Sequence, residues 1–366
     1  MILYFKYVVV GAGISGLTMA ERIASCLNEK VLVIEKRSHI GGNCYDYYND
    51  DGILIHQYGP HIFHTSMKHV FDYLSEFTQW DIYQHRVLAY VDGAYLPMPI
   101  CARTINMLYN LNLSTREVED FLKSVAQGSR EIKSSEDVVI SKAGKYIYEK
   151  FFKYYTIKQW DMDPSALDPS VISRVPVRFS IDERYFTDPY QGMPRAGYTR
   201  MFENMVKSPL IKILLNTNYK EVIKDLKYDR LIYTGPVDEF YGNELGALKY
   251  RSVNIVFETK DTSDYQPAAV VNYPNDYDFT RITEYTKLTG QRHTKTVISK
   301  EYPTWDGEPY YPVPSPAQQA LYAEYKRKAD AEPNTLFLGR LATYKYYNID
   351  AAVNAALCLF NDHVKK

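Results

Sequence analysis

Tyr7-Val8-Val9-Val10 is an apolar run without polar alternation, the pattern of a strand buried on both faces. Gly11-Ala12-Gly13-Ile14-Ser15-Gly16 follows at once. From there apolar residues fall at Leu17, Ala20, Ala24 and Leu27, a helical period. Val31-Leu32-Val33-Ile34 predicts a second buried strand, ending in Glu35. The opening sixty residues therefore read as a strand–helix–strand unit with parallel strands.

Helical patterns come next. Ser114-Thr115-Arg116-Glu117 fits a capping box, followed by Val118, Phe121, Leu122 and Val125 at helical spacing. Ser134-Ser135-Glu136-Asp137 starts another helix, broken near Gly144, and a third pattern from Lys145 to Tyr155 puts Ile147, Phe151 and Tyr155 on one face. Trp160 to Pro176, with Pro164, Pro169 and Pro176 among acidic residues, predicts a long, mobile loop. Leu231-Ile232-Tyr233-Thr234-Gly235 reads as a buried strand ending in a tight turn. Four β-rich runs (Tyr250–Thr259, Ala268–Tyr273, Phe279–Thr286 and Lys295–Tyr302) lack intervening helices and predict an antiparallel sheet. The chain then returns to strand and helix: Thr335–Leu338, Gly339-Arg340, and a helix from about Ile349 to Phe360.

With 366 residues, about two to three domains are expected. Lys+Arg 43 against Asp+Glu 44 leaves a charge of −1, so no overall field draws nucleic acid or an acidic membrane. The four cysteines, Cys26, Cys44, Cys101 and Cys358, lie far apart without zinc spacing. This predicts no metal site and a reducing, cytoplasmic compartment. Met1 to Ala20 is apolar enough to imitate a secretory signal. Its single positive residue, its three glycines and the amphipathic helix that follows favour the start of a folded unit instead. No apolar run is long enough to span a membrane. The one compositional oddity is 35 tyrosines, against 15 phenylalanines and 3 tryptophans.

The glycine turn carries the first chemistry. In Gly-x-Gly-x-x-Gly, Gly11 allows the tight turn, Gly13 lets backbone approach a pyrophosphate, and Gly16 lets helix and strand pack closely. The helix N-terminus then offers unpaired N–H groups to phosphates. Glu35, nineteen residues after Gly16, can accept ribose hydroxyls and would repel a 2′-phosphate, which argues against NADP. Glu35 through Gly41-Gly42-Asn43 resembles the extended fingerprint of FAD-binding oxidase-type flavoproteins. Thr234-Gly235 and Gly339-Arg340 resemble that group's other two cofactor contacts, so FAD is favoured over NAD.

Longer segments resemble the bacterial UDP-galactopyranose mutases. They are Tyr58-Gly59-Pro60-His61-Ile62-Phe63-His64-Thr65, Tyr155-Thr156-Ile157-Lys158-Gln159-Trp160, Arg174-Val175-Pro176-Val177-Arg178-Phe179 and Tyr185 through Gly192. Later come Phe279-Thr280-Arg281-Ile282, Glu308 through Val313, and Gly339 through Tyr347. Order and approximate spacing hold from residue 7 to about 355. The resemblance implies a flavin-dependent isomerase that interconverts UDP-galactopyranose and UDP-galactofuranose without net redox change. In that family N5 of reduced FAD attacks the anomeric carbon, UDP leaves, the sugar opens through a flavin iminium, and the ring recloses. The implied fold is a discontinuous FAD-binding Rossmann-type domain (1–80, 196–245 and 318–366). A helical domain (100–160, with the loop 160–176) and an antiparallel sheet domain (81–99, 177–195 and 246–317) complete it.

Residue by residue, the resemblance assigns Arg174 and Arg281 to the diphosphate and His61 to the flavin as the catalytic set. It implies cofactor contacts from Gly11, Gly13, Ser15, Gly16, Glu35, Lys36, Gly42, Asn43, His61, Gly235, Gly339, Arg340 and Ile349. Substrate contacts fall to Phe151, Tyr155, Trp160, Arg174, Tyr185, Asn272, Arg281, Tyr311, Tyr346 and Asn348. Phe151 and Tyr155, four apart, would hold the uracil. Glu301 matches a buried acid of the site. Tyr310 and Tyr347 read as packed rings. A homodimer, an external electron donor and a furanose-containing polysaccharide as the eventual product are further implications. Four positions depart from the family: Pro60 for alanine, Tyr154 for glycine, Asp278-Phe279 for Pro-Tyr, and Asn348 for an acid. They surround the sugar and nucleotide, so UDP-N-acetylgalactosamine, UDP-arabinose and dTDP-fucose stay open as substrates. An FAD amine or alcohol oxidase is a more remote alternative.

Overall fold

The structure, a computed structural model, describes residues 3–128, 131–173 and 175–365. Five parallel strands form one sheet in the spatial order Ile211–Leu214, Val31–Ile34, Leu3–Val10, Leu226–Tyr233 and Thr335–Phe337. The apolar runs are unbroken because both faces are covered. Val9, Val33 and Ile232 pack under helices Ile14–Leu27 and Ile349–Leu359, while Val8, Leu32 and Leu231 pack on the other face with Ala342. Leu17, Met19, Ala20 and Ile23 of the first helix are fully buried, each large one contributing roughly 1.5–3 kcal/mol. That helix stops at Asn28, whose φ of 55° is a left-handed cap. The result is a Rossmann-type α/β unit drawn from three separate stretches of chain, 3–34, 211–233 and 335–359.

A seven-stranded sheet lies outside it, in the order Tyr311–Pro312, Tyr250–Lys260, Thr296–Thr304, Arg281–Glu284, Val270–Asn272, Val87–Val91 and Ala94–Met98. Its pairings are antiparallel except that Val270–Asn272 runs parallel to Val87–Val91. This corrects the expectation of a purely antiparallel sheet. The Val87–Met98 hairpin precedes the helical segment, and a parallel neighbour needs such a long crossover. The run expected at Phe279–Thr286 is also shorter as a strand, because Tyr285–Thr289 turns into a helix. A smaller sheet pairs Phe63–Thr65 and Trp80–Ile82 with Tyr190–Pro194.

Helices Thr115–Val125 and Ser135–Ile147 begin where expected, the first at the predicted capping box of Ser114 with Glu117 and the second at a box of Ser134 with Asp137. Gly144, at φ 84°, breaks the second one as its sequence suggested. Tyr148–Lys153 is then wound as a π turn, and Tyr154–Trp160 continues as α-helix. Trp160 to Pro176 is not the structureless loop its prolines suggested. Asp163 accepts from the Ser165 N–H at 2.9 Å and Asp168 from the Ser170 N–H at 2.8 Å, so Pro164–Ala166 and Ser170–Ser173 form short helical turns. Proline is tolerated at the head of a helix, where its missing N–H has no partner to lose. Leu167 and Ile172 pin the segment down by burial. Among the described residues no helix is long and apolar enough to cross a membrane.

Candidate functional site

One cavity of about 770 Å³ runs from the glycine turn to the seven-stranded sheet. Every residue assigned to cofactor or substrate from the sequence lines it, except Arg174, which lies outside the described residues. At the Rossmann end, Gly11 stands at φ 100° with space for no side chain, since a Cβ would meet Thr234 Oγ1 at 2.1 Å. A Cβ on Gly16 would sit 2.1 Å from the Gly11 carbonyl oxygen. Gly13 differs: its Cβ would meet only Gly42 Cα, at 3.9 Å. Gly13 also caps the first helix without a side-chain acceptor, leaving N–H groups free for an anion. The Gly41-Gly42 pair is drawn alongside by the Gly41 N–H bond to the Ala12 carbonyl at 2.8 Å. Glu35 is buried, and its carboxylate accepts from the N–H groups of Ala12 (2.7 Å) and Arg37 (2.9 Å). Gly235, Gly339, Arg340 and Ile349 close the cavity from the later strands and the last helix. This glycine cradle, with a fixed carboxylate and a bare helix N-terminus, fits the dinucleotide part of FAD.

The opposite end is built on paired strands. Asn272 and Arg281 face each other across the Val270–Asn272 and Arg281–Glu284 ladder. Arg281 donates through NH2 to the Tyr155 hydroxyl at 2.9 Å, and its Nε stands 3.2 Å from Glu301 Oε2. Burial opposes its charge, but Glu301 and the hydroxyls of Tyr155, Tyr311 and Tyr185 hold the guanidinium firmly cationic. Burial pushes the Glu301 carboxyl up from its ordinary value, with Arg281 opposing. Arg281 Nε and Glu301 Oε1 are both buried without a hydrogen bond. An arginine so placed, with unspent donor capacity in a cavity, fits an anionic ligand.

Arg340 donates to the carbonyls of Tyr310 (3.1 Å) and Tyr347 (2.8 Å), and its guanidinium lies over the rings of Tyr346 and Tyr311 at 5.0 and 5.5 Å. Tyr310 and Tyr347, read from sequence as packed rings, thus also line the cavity and aim this arginine. Three groups escaped the sequence reading. Arg37 donates to Glu308 and Asn43 and lies over the Tyr58 ring at 4.3 Å. Glu308 also meets Lys36, at 3.4 Å. His64 bonds Asp188 at 2.8 Å through Nδ1 and stacks on Phe186. Lys36 and Arg37 stand next to Glu35 in the sequence, but the separation of 271 positions between Arg37 and Glu308 hides the pair. The helical face expected from Ile147, Phe151 and Tyr155 splits: Ile147 and Phe151 pack into the core, whereas Tyr155 reaches Arg281.

His61 donates from Nδ1–H to the Gly59 carbonyl (2.9 Å), and its backbone N–H donates to His56 Nδ1 (3.0 Å). Burial lowers His56 and His61 to about 3, and in His61 the neighbouring His56 and Arg340 add to the effect. His61 is therefore a neutral imidazole at pH 7, able to offer a hydrogen bond but no charge to the cavity it lines. Between about pH 3 and 6.5 the unfolded chain holds the extra proton, so stability falls on acidification below 6.5. Each of these two histidines is expected to contribute a slope of about 1.4 kcal/mol per pH unit near pH 5. Urea midpoints at pH 5 and 6 check this, because His61→Gln should flatten the slope by one proton.

The geometry of a Rossmann sheet whose glycine cradle opens onto arginines held over a substrate sheet defines a nucleotide-dependent enzyme. The comparisons make the class definite. Residues 150–346 match the UDP-galactopyranose mutase family, and residues 9–77 match the NAD(P)-binding Rossmann-like domain. A probable UDP-galactopyranose mutase of Klebsiella pneumoniae is 38% identical, covering 95% of this chain and 92% of its own length. A dTDP-fucopyranose mutase of Escherichia coli is 36% identical, covering 96% of each. A solved structure of reduced UDP-galactopyranose mutase shares the fold, with TM-score 0.74, 16% identity and 98% and 96% coverage. Putrescine oxidase shares it more loosely, at TM-score 0.62 and 13% identity over the whole of both chains. The chain belongs to the UDP-galactopyranose mutase family, and is a nucleotide-sugar pyranose–furanose mutase.

Proposed function

We propose that the chain binds FAD in the glycine cradle and, with the flavin reduced, interconverts UDP-galactopyranose and UDP-galactofuranose. The observation that carries this reading is Arg281. It is cationic, is held between Glu301 and the Tyr155 hydroxyl, and opens into the same cavity as the cradle. Reduced FAD supplies the nucleophile for the anomeric carbon. The chain's own residues do the rest. Arg281 and Arg174 take the diphosphate as it departs and hold it for return, while Tyr155, Tyr185, Tyr311 and Tyr346 offer hydroxyls to its oxygens. Phe151 and Trp160 wall the nucleotide, and neutral His61 hydrogen-bonds the cofactor beside the sugar. Enclosure keeps water from the open-chain sugar. An external electron donor and a homodimeric assembly belong to the same reading.

dTDP-fucopyranose is the second substrate, because the Escherichia coli relative named for it is nearly as similar as the Klebsiella one. Pro60 and Asn348 line the cavity where the sugar would lie. Chromatography of each nucleotide sugar, incubated with dithionite-reduced protein beside an oxidised control, separates the two. A furanose peak from UDP-galactose in the reduced sample alone is the expected result. A peak only from dTDP-fucose would transfer the assignment, and no peak from either would overturn it.

A further inference from the structure

Asn272 and Arg281 are the last paired residues of two antiparallel strands, and residues 273–280 form the loop between them. The backbone carbonyls of Tyr273, Asn275, Tyr277 and Phe279, at every second residue, turn to a single point. Lys158 Nζ occupies it, donating at 2.5, 3.2, 2.8 and 3.0 Å. Carbonyl dipoles converging this way repel one another unless a cation sits among them. An ammonium has three N–H donors for these four oxygens, so one proton is shared. Burial pushes Lys158 down to about 8, with Asp278 and Asp276 opposing, which leaves the ammonium charged at neutral pH.

Lys158 does not line the cavity, yet its helix does, and so do Asn272 and Arg281, which flank the loop it fills. Its helix, Tyr154–Trp160, carries Tyr155 and Trp160, and the loop it fills ends in Arg281. The helix end is held from a second side, where Arg251 donates to the carbonyls of Gln159 (2.9 Å) and Lys158 (3.2 Å). The loop has its own second tie, from Asn275 Nδ2 to the Lys150 carbonyl at 3.1 Å. The 2.9 Å contact between Arg281 and Tyr155 spans these two elements.

We propose that Lys158 is a positioning residue: an ammonium peg in a carbonyl ring that fixes the Tyr154–Trp160 helix to the Asn272–Arg281 hairpin and so sets Tyr155 against Arg281. Its effect on substrate rests on the reading that Tyr155 and Arg281 hold the diphosphate. The peg itself does not depend on that reading.

The test is hydrogen exchange on the flavin-loaded, nucleotide-free protein, comparing wild type with Lys158→Ala and Lys158→Met. Amides of 273–281 and 154–162 should exchange faster together in both variants, with the glycine turn unaffected. Methylammonium should restore slow exchange in Lys158→Ala, whereas tetramethylammonium, which has no N–H, should not. Steady-state kinetics of Lys158→Met should show KM for the nucleotide sugar raised about tenfold or more, with kcat within about threefold of wild type. Unchanged exchange in either segment, or faster exchange that methylammonium does not reverse, would overturn the peg. Normal KM with faster exchange would overturn its role in setting the pair. If wild type turned over no nucleotide sugar, the mutase reading would fail while the exchange arms still decided the peg.

Discussion

Arg281→Met is expected to lower kcat/KM for the nucleotide sugar by about two to four orders of magnitude, the worth of two charge-assisted contacts to a departing diphosphate. The same change should destabilise the protein in a pH-dependent way. Glu301 is almost fully buried and Arg281 is the cation opposing its upward shift. An unpaired buried carboxylate would cost up to about 3–5 kcal/mol, so in the variant its folded pKa rises further. The folded chain then keeps a proton that the unfolded chain releases, and stability falls as pH rises from about 4.5 through the raised value. The Tm deficit against wild type should therefore be small at pH 5 and larger at pH 8. Adding Glu301→Gln should remove that pH dependence without restoring turnover. Arg281→Met within tenfold of wild-type kcat/KM would refute the diphosphate assignment.

The glycine cradle offers the second large effect. Gly13→Ala adds a methyl that meets protein only at 3.9 Å, so folding and Tm should be unchanged. The methyl occupies the approach of a pyrophosphate, and FAD affinity should fall about tenfold or more. Gly16→Val is the contrasting variant. Its Cβ would collide with the Gly11 carbonyl at 2.1 Å, backbone that cannot move aside without opening the turn. It should purify without flavin absorbance and with a lowered Tm. Flavin titration and thermal melts on both variants separate a cofactor clash from a packing clash. A Gly13→Ala protein that binds FAD as wild type does would place the pyrophosphate elsewhere.

The first strand, helix and second strand were legible because each is local. Periodicity, the glycine turn and Glu35 occur within thirty residues, and burial on both faces demands unbroken apolar runs. The capping box at Ser114 and the helix start at Ser134 were legible for the same reason: cap and acid are three residues apart. Proline misled at Trp160–Pro176, since composition alone does not say whether a proline ends one helix or begins the next. The local β pattern also gave no sign that Val270–Asn272 would find a parallel neighbour in a hairpin formed about 180 residues earlier.

Side-chain identity in this sequence determines which chemistry is on offer: bare glycine backbone, a carboxylate beside it, and the cationic and phenolic donors of the arginines and tyrosines. Tertiary structure alone decides which of them meet. Tyr155 and Arg281 are 126 residues apart, Arg37 and Glu308 are 271 apart, and Lys158 fills a ring of carbonyls more than 110 residues beyond it. No periodicity records such contacts, because they arise where separately patterned elements, distant in sequence, pack together. Burial there also sets the charges. A sequence shows His61 as an ordinary histidine; its removal from water makes it neutral. Only the fold supplies that.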